Sequence, residues 1–127
     1  MSATQDHAVG SYFDLDVEPE RDAVRVRPSG EVDLATAGRI GTQVEELVSV
    51  GFTRIVVDLR AVTFLDSTGI RLLLELAQSA RCGGWQLAVI EGRPDVQRVF
   101  EIAGVASMLP FVEATAVRWP RGGPQWH

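Results

Sequence analysis

The sequence predicts a single α/β domain with a mostly parallel sheet of four to five strands. Two observations carry this. A strand-like run followed by a helix-period run occurs three times in succession, the pattern that short right-handed crossovers build into a parallel sheet. The central strand, Ile55-Val56-Val57-Asp58-Leu59, opens with three β-branched residues in a row and has the look of a strand buried on both faces.

The chain opens with alternation. Over residues 12–18, Phe13, Leu15 and Val17 alternate with polar neighbours, which predicts a half-buried strand. Residues 19–22 read as a polar turn. Residues 23–27 resume the alternation through Val24 and Val26, so the two strands form a hairpin, the second ending at Pro28-Ser29-Gly30. Glu31-Val32-Asp33-Leu34 leads into a helix from near Thr36, with Ile40, Val44, Leu47 and Val48 inward and Gly51 as its stop. After the central strand comes a second helix: Ile70, Leu73, Leu74, Ala77 and Ala80 share one face, and Arg71, Glu75 and Gln78 lie on another. Gly83-Gly84 breaks it. Residues 86–90 make a further buried strand. Pro94 starts a third helix that buries Val96, Val99, Phe100 and Ala103 and ends at Gly104. A last short strand falls near residues 109–112. The helical pattern beginning at Glu113 is stopped by Trp119-Pro120. The domain is therefore expected over residues 12–118, with disordered ends at 1–11 and 119–127.

Composition excludes several classes. At 127 residues the chain fits one domain with one core. No run approaches the roughly 18 apolar residues that cross a bilayer, and residues 1–11 lack the pattern of a signal peptide. A lone Cys82 suits a reducing cytoplasm. Net charge is −5 and the arginines are scattered, which argues against a nucleic-acid surface. The chain contains neither Lys nor Asn. It therefore lacks a P-loop lysine, a Schiff-base lysine and the lysine of a phospho-receiver site. His7 and His127 fall near the two ends, which leaves no Ser–His pair and no metal cluster.

The remaining candidate site is Leu65-Asp66-Ser67-Thr68-Gly69, where the second helix begins. Asp66 and Ser67 can each cap a helix through the side-chain oxygen. The other reading makes Ser67 a modification site, since the positive end of a helix dipole accepts a phosphate well. Asp33 is a turn residue or a second polar group near Ser67. Gly69 is expected to give a partner or a neighbouring loop close access to the first turn, so a large replacement should impair binding more than stability. Asp58, ending a buried strand, is expected to be structural or electrostatic, accepting N–H groups of the next loop. A hydrolase centred on Ser67 would need G-x-S-x-G, and Leu65 fills the first Gly position.

Taken in order, Gly30-Glu31-Val32-Asp33, Val57-Asp58-Leu59, Phe64-Leu65-Asp66-Ser67-Thr68-Gly69 and Arg93-Pro94 through Val99-Phe100-Glu101-Ile102-Ala103-Gly104 resemble the STAS domain of bacterial anti-sigma factor antagonists. The resemblance spans residues 13–112. It implies a strand–helix superhelix with one antiparallel strand at its start, no enzymatic activity and no cofactor. It also implies a partner switch. The unphosphorylated protein binds an anti-sigma factor that is also a serine protein kinase, and so frees a sigma factor. Phosphorylation of Ser67 breaks the complex, and a PP2C-type phosphatase restores it. Asp33, Asp66, Ser67, Thr68 and Gly69 would form the partner interface, without direct contact to nucleic acid or membrane. Thr68 stands where many relatives carry a second Ser, and the family's last helix looks shortened. The competing reading is a STAS scaffold of a sensory complex with no sigma factor to release.

Overall fold

The computed structural model describes residues 12–117 and 119. Strands β1 (Phe13–Pro19), β2 (Val24–Val32), β3 (Arg54–Asp58), β4 (Val62–Leu65), β5 (Gln86–Ile90) and β6 (Phe111–Val112) alternate with helices α1 (Ala37–Ser49), α2 (Ser67–Gly83) and α3 (Pro94–Ile102). They form one six-stranded sheet in the order β1-β2-β3-β5-β6, with β4 also on β2. Only β1 runs antiparallel to its neighbour; the other pairings are parallel.

Each crossover steps the same way across the sheet, so the helices collect on one face. Val24, Val26, Ile55, Val57, Leu87 and Val89 of the strands pack there with Ile40 and Val44 of α1, Leu73 and Ala77 of α2, and Val96 and Phe100 of α3. Phe100 meets Phe111 edge-on, ring centroids 5.0 Å apart, a pair that adds about 1 kcal/mol beyond its burial. On the opposite face Val56, Ala88 and Ile90 are covered by Val112, Ala114, Val117 and Trp119. Trp119, read from sequence as the start of the tail, lies under the Arg54 guanidinium at 5.7 Å; the expectations for residues 1–11 and 120–127 lie outside the described residues.

The helices follow their period closely, and Leu76 joins the buried face of α2. Three expectations are corrected. First, β2 does not end at Pro28-Ser29-Gly30 but continues to Val32. It changes partners on one side, leaving β3 after Val26 and meeting β4 from Gly30. Pro28 sits in the gap between those two ladders, where its missing N–H is not needed on that side. Gly30 takes the strain of the change at φ 91°. Its N–H bonds to the Ala61 carbonyl and that of Glu31 to the Tyr12 carbonyl, and a Cβ at Gly30 would collide with Tyr12. Second, β4 was not expected. It buries Val62 and Leu65 but exposes Thr63 and Phe64, so it shows no period of two. Third, Ala103 is exposed because it lies one residue beyond α3. Val17, similarly, is exposed near the outer end of the edge strand β1.

Candidate functional site

Every helix in this sheet starts at the carboxyl ends of the strands, and two of those starts are neighbours by register. Val32, the last residue of β2, pairs with Leu65, the last residue of β4. The Asp66 N–H bonds to the Val32 carbonyl at 3.2 Å. Asp33 and Asp66 are therefore the next residues along two adjacent parallel strands, and the turns that follow them emerge side by side.

Asp66 is the N-cap of α2, in extended backbone at φ −105° and ψ −171°. Its Oδ1 accepts the Thr68 N–H at 2.8 Å and the Gly69 N–H at 3.3 Å. A cap of this kind is worth about 1 kcal/mol. The choice left open between Asp66 and Ser67 as cap thus falls on Asp66. Ser67 occupies the first helical position, is exposed, and its hydroxyl makes no hydrogen bond among the described residues. Thr68 is half-buried beside it.

Asp33 holds the neighbouring turn. Its Oδ1 accepts the Ala35 N–H at 3.0 Å and lies 3.1 Å from the Thr36 hydroxyl, which also reaches the Glu31 carbonyl at 2.8 Å. The Asp33 N–H in turn donates to that hydroxyl at 2.9 Å. Asp33 is thus both things the sequence allowed, a turn residue and a polar group on the loop adjoining the start of α2.

Gly69 has a different part from the one expected. It is buried, and a Cβ there would stand 2.8 Å from Leu65 Cγ and 3.0 Å from Val32 Cγ1. The missing side chain lets the first turn of α2 close onto the ends of β4 and β2. Gly69 shapes the surface from beneath, and a large replacement strikes the core first.

Sequence reasoning missed the ion cluster that sets the stage for this end of the sheet. Asp58, with no exposed surface, receives Arg25 at 3.0 Å, Arg27 at 3.1 Å and Arg60 at 2.8 Å. The Arg60 backbone N–H also donates to its Oδ1 at 3.1 Å, the loop contact expected of Asp58. Burial works against the charge, but the bonds from Arg60 and Arg25 outweigh it and hold the carboxyl well below the usual carboxylate range. Arg60 and Ala61 belong to the connection between β3 and β4. Pinning that connection fixes where β4 lies on β2, and so where Asp66 and Ser67 emerge. The clue in the sequence was Arg25 and Arg27 alternating with buried valines on β2.

Grooves of about 650 Å³, lined by Trp85, Leu87, Leu109 and Trp119 among others, and of about 580 Å³ beside α1 do not include Ser67. Among the described residues no group of three or more His, Cys, Asp and Glu is placed to hold a metal ion, and no helix is long and apolar enough to cross a membrane.

Comparison with known proteins gives consistent matches. The family model of the STAS domain matches residues 14–116. A Bordetella bronchiseptica protein provisionally named anti-sigma factor antagonist BtrV is 33% identical over 85 residues, covering 67% of this chain and 73% of its own. The anti-sigma F factor antagonist of Paenibacillus polymyxa is 27% identical over 100 residues, covering 78% and 86%. Among solved structures, the anti-sigma factor antagonist SpoIIAA in its unphosphorylated form superimposes with a TM-score of 0.65 at 22% identity, covering 81% and 88%. The phosphorylated form of SpoIIAA, from Bacillus, gives 0.61 at 22% identity, covering 81% and 91%.

Proposed function

The chain belongs to the STAS domain family, and from that premise we propose that it is an anti-sigma factor antagonist switched by phosphorylation of Ser67. In the unphosphorylated state it binds an anti-sigma factor that is also a serine kinase, and the sigma factor held by that partner is released. The kinase phosphorylates Ser67 and the complex dissociates. A PP2C-type phosphatase resets the protein. The observation that carries this reading is the state of Ser67: exposed, first in a 17-residue helix, with its hydroxyl unengaged among the described residues and the Asp33 turn alongside. Support for the partner class comes from two relatives named for anti-sigma factor antagonism. The fold is shared with a protein solved with and without its phosphate.

The physical basis of the switch is charge at a docking surface. A phosphoseryl group adds roughly −1.5 to −2 charge and three acceptor oxygens. In the free domain the cost is small, because the group sits in water at the positive end of α2. Asp66 already takes the Thr68 and Gly69 N–H groups, so the phosphate gains from the dipole more than from free donors. Docking removes that water. An unpaired charge taken into an interface costs several kcal/mol, and about 1.4 kcal/mol is already a tenfold loss of affinity.

The test is intact-mass analysis after incubation with ATP and each purified anti-sigma kinase of the host. One phosphoryl group should be added to the wild type, mapping to Ser67, and none to Ser67→Ala. Equal labelling of Ser67→Ala, or no labelling by any of these kinases, contradicts the proposal.

A further inference from the structure

The turn between β2 and α1 ends in a feature that its fold does not require. Leu34, at the tip of that turn, is 82% exposed, the highest of the exposed large apolar residues described. Turn tips ordinarily carry Gly, Asn, Asp or Ser for reasons of backbone geometry, and a leucine there adds almost nothing to the core. Single exposed leucines are common on protein surfaces and alone mean little. Two further facts separate Leu34 from that background.

The first is rigidity. The flanking backbone is held by Thr36 N–H and Ala37 N–H on the Asp33 carbonyl at 3.1 and 2.9 Å, by Ala35 N–H on Asp33 Oδ1, and by the Thr36 hydroxyl between Glu31 and Asp33. The leucine is presented to solvent on a fixed backbone, so docking it forfeits little chain entropy. The second is position. Through the pairing of Val32 with Leu65, the Leu34 turn adjoins the start of α2. Phe64, 49% exposed and in register with Glu31, brings further apolar surface to the same end. Val50 and Ile102 are also strongly exposed, at 73% and 78%, but Val50 follows the last turn of α1 and Ile102 is the last residue of α3, both at the opposite end of the sheet.

We infer that Leu34 is the apolar anchor of the partner complex: it seats in a hydrophobic socket of the anti-sigma kinase while Ser67 faces the same protein. This rests on the proposed function and names the partner's surface chemistry at that site, an apolar recess next to a polar floor. It also links the anchor to the switch. Apolar groups interact only when their atoms close to about 4–4.5 Å, and a hydrated phosphate on the adjoining helix start keeps water between the surfaces and the socket empty.

The experiment measures binding of the kinase that labels Ser67 to wild type, Leu34→Ser and Ile102→Ser, each first checked by thermal melting. Leu34→Ser should melt within about 2 °C of wild type, as a surface change does. It should bind at least tenfold more weakly, chiefly through faster dissociation, while Ile102→Ser binds as wild type does. Binding of Leu34→Ser within twofold of wild type overturns the anchor and leaves the switch intact. An equal loss in Ile102→Ser also overturns it, because the effect would then not belong to this end of the molecule. Failure of every kinase to label or bind wild type overturns the proposed function, and the anchor with it.

Discussion

Asp58 keeps its charge where no water reaches it, and that has a measurable consequence. Its folded-state pKa lies below the ordinary value of 3.8. A carboxyl of this kind contributes stability that is fully present above the ordinary value and is lost as pH falls below it toward the folded one. Asp58→Asn keeps the shape, but it leaves Arg25, Arg27 and Arg60 facing an uncharged amide. Breaking a fully buried ion pair costs about 3–5 kcal/mol, and the cost here is smaller because Arg27 and Arg60 are partly exposed and keep water when the carboxylate is lost. Urea unfolding of wild type and Asp58→Asn should therefore show the widest gap near pH 7 and a narrowing one below about pH 4. A gap that stays constant with pH would mean that the carboxylate charge is not what stabilises the cluster. Asp33 and Asp66 differ in kind: each is partly solvated and works through Oδ1 on N–H groups of its own turn.

At the level of elements, Gly69 decides how tightly α2 meets the sheet. Gly69→Leu forces a side chain into Leu65 and Val32, and overpacking of this sort costs about 1–3 kcal/mol. Its thermal midpoint should fall clearly below that of wild type before any partner is added. An unchanged midpoint would show that the first turn has room to spare. The packing argues against the expectation that binding would suffer first, because a glycine in the first turn of a helix says nothing in sequence about which side its absent side chain faces. The helices were legible because each carries its own information: a stripe at period 3.6, a cap at Asp66, a proline at Pro94. So were β3 and β5, as continuous apolar runs. The extension of β2 and the whole of β4 were not. Val62–Leu65 is short and lacks alternation, and it becomes a strand only because β2 runs past Pro28 and offers it an edge. Neither half is visible without the other. The same dependence hid the arginine cluster, which joins residues 31 to 33 positions apart with a local contact at Arg60.

The described residues form a sheet wound in one direction, with helices on one face and Val112, Ala114, Val117 and Trp119 across the other. A doubly wound sheet opens a crevice where its crossovers reverse, and ligands settle there. Here the crossovers do not reverse, and the carboxyl ends of the strands present turns and helix starts as a surface. That surface suits the proposed docking of a protein partner at Ser67, Asp33 and Leu34, and it is why changes to Ser67 should leave the core alone. The claim that phosphorylation acts on the interface and not on the fold is tested most directly by one paired measurement. Purified wild type and its Ser67 phosphoprotein are melted, then titrated with the same anti-sigma kinase. The account predicts midpoints within about 4 °C of each other and binding weakened at least tenfold in the phosphoprotein. A phosphoprotein that melts far earlier, or binds as tightly as before, would contradict it.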